Sequence, residues 1–193
     1  SLFWTGDSVA GLNPVDGQAY WRFPFAPTNM PIGIATPVVS QNDVFVTSFY
    51  DGSLMLRLQQ DRPTATRVWQ KKGRDERNTE ALHSIISTPV FLGQHIYGVC
   101  SYGELRCLNA KTGERLWEDL TATPKARWST IHFVRHGKQT WMFNERGELI
   151  IGELAPSGFR EISRTRLLDP TLEQLRQRKG VCWSHPAFAN RHV

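Results

Sequence analysis

Two short stretches gather side chains suited to holding a ligand: "RWST" at 127–130 and "CWSH" at 182–185. Arg127, Trp128, Ser129, Trp183, Ser184 and His185 supply two indole faces, a cation, an imidazole and two hydroxyls. Such a set forms a floor for a planar or polar ligand, with aromatic faces for stacking and a cation beside them. Catalytic chemistry is harder to assemble. His83, His95, His132, His136, His185 and His192 show no zinc spacing and no His-Glu-x-x-His motif. The acidic residues lack the spacing of a calcium loop. Neither a Gly-x-Ser-x-Gly elbow nor a phosphate-cradling loop is present. No metal site is expected and no residue is assigned a catalytic role, so the chemistry on offer is recognition.

These stretches must be positioned by strands. The segment "HIYGVCSYGELRCLNAKTGERLW" reads as strand (96–100), tight turn at Tyr102-Gly103, strand (105–108), second turn at "NAKTG", and a third strand opening at Arg115. Asn109 bonds its own backbone in that second turn, and Gly113 takes the left-handed position. The pattern recurs. "LNPVDGQAYW" (12–21) carries Leu12-Asn13, Gly17 and Trp21 where "LNAKTGERLW" carries Leu108-Asn109, Gly113 and Trp117. "ATPVVSQNDVFVTSFYDGSLMLRL" (35–58) matches "STPVFLGQHIYGVCSYGELRCL" (87–108). A third copy fills 128–154, and "WSHPAFANRHV" begins a fourth. The anchors Thr36, Thr88, Thr130 and His185 lie roughly 40–55 residues apart, the period of a four-stranded propeller blade.

At this point the chain resembles a known family. "LNAKTGERLW" and "LNPVDGQAYW" are similar to the repeat of pyrroloquinoline-quinone (PQQ)-like β-propellers, Ala-x-Asp-x-x-Thr-Gly-x-x-x-Trp, with Leu-Asn replacing its usual start. The resemblance implies an all-β fold of four-stranded blades, about four blades' worth of a seven- or eight-bladed ring. It implies a single domain over 1–193, with a partial blade at 1–23, blades at 36–70, 87–118 and 128–163, and a partial blade at 184–193. It implies that Trp21, Trp69 and Trp117 dock between blades on the Gly17- and Gly113-type turns as structural glue. The innermost strand of a blade lines the channel, so the six candidate residues would meet at its mouth. The competing reading packs both Trp between blades, with the small residues fitting a crowded axis.

The family includes quinoprotein dehydrogenases and non-enzymatic scaffolds of the BamB type, so fold alone does not assign function. In the dehydrogenases PQQ chelates Ca²⁺ beside a catalytic Asp, and a disulfide of adjacent cysteines stacks on it. This chain has no adjacent Cys pair. The resemblance therefore implies a non-catalytic binding or scaffold module for a protein or small-molecule partner, periplasmic or secreted in a bacterium, with no cofactor. The alternative is a fragment of a PQQ-dependent oxidoreductase whose PQQ and calcium ligands lie elsewhere. A third option is a sheet edge that pairs with a partner's strand.

The first unit opens at its second strand and the last stops after its first, so the two ends joined would make one gapless blade. That fits a closed four-bladed ring or a whole-number slice of a longer propeller, and the slice is the expectation taken forward. A homodimer completing an eight-bladed ring is a further expectation.

Composition agrees with a turn-rich β protein: 40% hydrophobic residues, 11 prolines, 15 glycines and seven tryptophans. No apolar run is long enough to span a bilayer. The net charge of +5 rests on scattered residues plus "KKGRDER" (71–77) and "RQRK" (176–179). The first reads as a solvated loop. The second reads as the basic end of a short helix over 169–180, capped by Asp169 and stopped by Gly180. No basic stripe interleaved with aromatics supports nucleic-acid binding. Cys100 and Cys107 read onto one face of a hairpin, as two buried thiols or a strained cross-strand disulfide.

Overall fold

The computed structural model describes residues 1–172, 180–190 and 192–193, and the chain over these residues is all-β. The first sheet holds β1 (Leu2–Trp4), β2 (Ser8–Leu12) and β3 (Ala19–Pro24). The second holds β4 (Val38–Ser40), β5 (Asp43–Ser48), β6 (Gly52–Leu58) and β7 (Ala65–Lys71). The third holds β8 (Val90–Leu92), β9 (His95–Val99), β10 (Leu105–Asn109) and β11 (Arg115–Asp119). The fourth holds β12 (Ile131–His136), β13 (Gln139–Asn144), β14 (Glu148–Ala155) and β15 (Gly158–Arg166). Each is an antiparallel meander, its strands hydrogen-bonded in chain order. The helix read over 169–180 rests on residues 173–179, which lie outside the described residues.

Alternation along β5 shows how the sheets stack. Successive side chains of a strand point to opposite faces. Val44 and Val46 enter a cluster with Val9 and Phe25 of the first unit. Phe45 enters one with Leu82, Ile96 and Leu108 of the third. The third sheet repeats this: Ile96 and Leu108 face back, while Val99 and Leu105 face forward onto Ile131, Met142 and Ile150. The core is thus three apolar interfaces between consecutive sheets. Burial is greatest on the middle strands and falls on the outer ones, β7, β11 and β15, which expose alternate residues to solvent.

The repeated turn and the repeated Trp form the joints. In the turn between β10 and β11, Asn109 Oδ1 accepts from the Lys111 and Thr112 N–H groups at 2.9 and 3.3 Å. Gly113 there has φ +70°. Trp69 lies against that glycine: a Cβ on Gly113 would sit 2.8 Å from the indole ring. Its Nε1 donates to Ala110 O at 2.8 Å. One sheet on, Trp117 donates in the same way to Ala155 O at 2.9 Å, while Gly158 beside it has nothing within 4 Å of a Cβ placed there. Each indole buries its faces while its N–H satisfies a turn carbonyl. Trp21 is partly buried against the cluster between the first two sheets. Gly17 has φ +75° with nothing within 4 Å of a Cβ placed there.

Every sheet also carries a bulge at one place, just beyond the pairs Gly11–Trp21, Met55–Trp69, Cys107–Trp117 and Ile151–Ser163. In the fourth sheet Ser163 therefore stands where the others have Trp.

Candidate functional site

Two sets of segments meet at the end of the sheets where β5 runs into β6 and β9 into β10. One set is these tight turns; the other is the longer connections from each outer strand to the next sheet. Tyr50 lies in the β5–β6 turn, Glu76 in the β7–β8 connection, Tyr102 in the β9–β10 turn and Arg127 in the β11–β12 connection. Glu76 ties them together. Its Oε1 accepts from Tyr102 OH at 2.6 Å, and its Oε2 accepts from Arg127 Nη2 at 2.7 Å. Arg127 Nη2 also donates to Tyr50 OH at 3.2 Å. Burial alone would raise the Glu76 pKa, but the Tyr102 and Arg127 bonds outweigh it and hold the carboxyl below its usual range.

The Arg127 guanidinium lies 4.8 Å from the Trp128 ring centre and 5.4 Å from that of Phe49. Trp128 has φ +68°, an unusual backbone for a bulky side chain. The conformation is held by its N–H donating to Ser101 O at 2.8 Å and by Thr130 Oγ1 donating to its carbonyl at 3.1 Å. The buried Trp128 Nε1 has no hydrogen-bond partner. Ser129 is a structural residue: its buried hydroxyl lies within hydrogen-bond distance of the Pro124 and Ala126 carbonyls, at 2.8 and 2.9 Å.

The second half of the candidate set sits at the last strand start. His132 Nε2 lies 2.8 Å from Trp183 O, and the His132 and His185 rings are 4.9 Å apart. Burial pushes the His132 pKa down, His185 adding to the effect. His185 and Ser184 are exposed, and Trp183 Nε1 is buried without a partner. His132 and His185, with Thr36, Thr88, Pro89, Val90 and Phe133, line a cavity of about 350 Å³. The inner strand starts are laced together there: Thr36 N–H donates to Thr88 Oγ1 at 3.1 Å, and Ile131 N–H to Ser87 Oγ at 2.9 Å. The six residues thus fall into two groups. Arg127 contacts Trp128, Tyr50, Glu76 and Phe49, while Trp183 and His185 contact His132.

Sequence reading missed Tyr50, Glu76, Tyr102 and His132. Tyr50 and Tyr102 were findable, because "SFYDGSL" and "CSYGEL" place both at the same turn of successive repeats. Glu76 was hidden in a segment read as a solvated loop.

Beneath these loops lies a buried polar network. His83 Nδ1 donates to Phe49 O at 2.9 Å, and Gly73 N–H donates to His83 Nε2 at 3.2 Å. That pairing defines a neutral ring, and burial lowers its pKa to about 4. Arg106 is also buried. Its Nη1 donates to Thr79 Oγ1, Ala81 O and Cys100 Sγ at 2.8–2.9 Å.

All three cysteines are free. The shared face expected for Cys100 and Cys107 is corrected by the register. Cys107 pairs with Tyr97, an odd number of residues from Cys100, so the two thiols point to opposite faces. Cys100 packs toward the second sheet. No cross-strand disulfide joins them.

The PQQ–calcium arrangement of quinoproteins can be tested against these residues. The thiols are apart, and among the described residues no three His, Cys, Asp or Glu side chains converge to hold a metal ion. The residues present do not fit that cofactor, and no chemical step is derived through it. Among the described residues no helix is long and apolar enough to cross a membrane.

Stacked antiparallel meanders, one of three strands and three of four, joined by Trp69 and Trp117 to the turn of the next sheet, define a β-propeller of the PQQ-repeat class. Residues 2–154 match the family model described as outer membrane protein assembly factor BamB, and the chain belongs to that family. Among solved structures it is similar to BamB from Moraxella catarrhalis, with 18% identity and TM-score 0.56, covering 83% of this chain and 43% of that one. It is similar to the β-propeller domain of Myceliophteria thermophila Cps50 (Swd1), with 12% identity and TM-score 0.57, covering 86% of this chain and 59% of the other. The N-terminal domain of Nup159 gives 11% identity and TM-score 0.54, with 90% and 43% covered. At these identities the likeness is one of fold. The chain spans about half the length of the structures it resembles. Comparison with curated proteins gives no match.

Proposed function

We propose that this chain is a non-catalytic part of a propeller that serves as a binding platform for a protein partner outside the cytoplasm. One observation carries the reading. Loops from successive sheets are locked by the Tyr102–Glu76–Arg127–Tyr50 bonds into a fixed polar surface rather than a cofactor cradle. A surface already held in one conformation binds without an ordering cost. Membership of a family described as an outer membrane protein assembly factor supports both the protein partner and the extracytoplasmic place. Trp128 adds an aromatic face beside Arg127, while Trp183 and His185 belong to a separate group around His132.

The test is a titration of the full-length protein with PQQ and Ca²⁺, followed by tryptophan fluorescence. The platform reading expects no saturable quenching. Saturable micromolar quenching that disappears without Ca²⁺ overturns it in favour of a quinoprotein whose cofactor ligands lie on other blades.

A further inference from the structure

Beside the Glu76 bridge lies a cleft of about 450 Å³ lined by Arg77, Tyr102, Glu104, Lys125, Ala126 and Arg127. Three of its six residues are cations and one is an acid. Lys125 is exposed, and among the described residues no hydrogen bond or ion pair engages its ammonium. Arg77 is exposed too. Its guanidinium lies 5.6 Å from the Tyr102 ring centre, with Nε 3.4 Å from Tyr102 OH. Among the described residues no carboxylate lies within ion-pair distance of it, though the charges of Glu76 and Asp75 reach it. The walls are fixed. Asp75 Oδ1 accepts from the Arg77 and Asn78 N–H groups at 2.9 and 2.8 Å, pinning the loop that carries Arg77. Glu104 Oε2 accepts from Tyr102 N–H at 3.3 Å, so the one acid of the lining is turned to its own backbone.

The surface also shows how it receives a carboxylate, because it holds one of its own. Glu76 takes short bonds from Tyr102 OH and Arg127, the geometry of charge-assisted recognition. Resting on the platform reading above, we infer that this cleft docks a short, extended acidic segment of the protein partner. One carboxylate sits between Arg77 and Lys125, since Arg127 is already paired with Glu76. Tyr102 supplies an apolar ring face beside it.

The experiment uses the full-length protein and fluorescence anisotropy, with a labelled hexaglutamate peptide as the probe. Hexalysine and a six-nucleotide single strand serve as comparators. Hexaglutamate is expected to bind saturably at low ionic strength and to weaken as salt rises. Lys125→Glu and Arg77→Glu, each at an exposed side chain, are expected to weaken it about tenfold or more while the melting temperature holds. Lys111→Glu, at the opposite end of β10, makes the same change in net charge and is expected to leave binding unchanged. Absence of hexaglutamate binding, equal loss in all three variants, or tighter binding of the oligonucleotide overturns the inference. The platform reading fails separately, through Ca²⁺-dependent PQQ quenching, so the two failures are distinguishable.

Discussion

Trp69 and Trp128 are both half-buried indoles, yet the chain uses them differently. Trp69 sits on a regular outer strand, lies on a glycine and gives its N–H to Ala110 O. Trp117, on the next outer strand, likewise gives its N–H to Ala155 O. Trp128 sits in a loop at the opposite end of the sheets, with a left-handed backbone and an unpartnered Nε1, stacked against Arg127. The first arrangement satisfies every group the residue carries, which marks a joint. The second accepts backbone strain and an unpaired donor, and such features collect where a surface is shaped for something other than stability. One end of the stack therefore holds the sheets together, and the other is shaped by the loops it carries.

The largest effect should come from breaking the joint. Trp69→Ala removes an indole from the interface between the second and third sheets and leaves Ala110 O without its donor. The expected loss is about 3–5 kcal/mol, read as a lower urea midpoint. Trp128→Gly suits the left-handed backbone, and relief of about 1–2 kcal/mol of strain offsets much of the lost packing. The two midpoints should differ clearly. Equal losses would erase the distinction between the ends.

A second effect separates the buried network from the exposed cleft. His83 has its pKa lowered to about 4, chiefly by burial, against an ordinary value of 6.5. The unfolded chain therefore binds the proton more readily than the folded one between those values. Stability is full above pH 6.5 and falls as pH drops toward 4, by up to about 3 kcal/mol. His132, shifted the same way, adds to the slope. Urea unfolding across pH 4–7 reads this directly. A flat profile would mean that the His83 ring is not the neutral donor–acceptor described.

Much of the fold was legible in the repeats. Asn109 and Gly113 announce their turn by residue type, since few other residues bond their own backbone or accept a positive φ there. The short β-branched and aromatic run in "DVFVTS" announces a strand, and the anchors Thr36, Thr88, Thr130 and His185, roughly a blade apart, announce the propeller. The bulge beside each Trp was not legible, because an extra residue in one strand leaves no mark in the apolar pattern. The opposed faces of Cys100 and Cys107 depend on which residues pair across the turn, and counting from the turn alone misplaced them. The candidate site was half legible. Arg127 and Trp128 stand out by type, but their partners Glu76, Tyr50 and Tyr102 come from three other segments. Only the fold brings a carboxylate from a charged loop to within 2.7 Å of Arg127.

The central claim is that the loop end of the stack meets a protein partner and the joint end does not. The most direct measurement places a photocrosslinking residue at Lys125 or at Lys111 of the full-length protein in its native cells. The account predicts a discrete protein adduct from position 125 and none from position 111. Adducts from 111 alone, or from neither position, would contradict it.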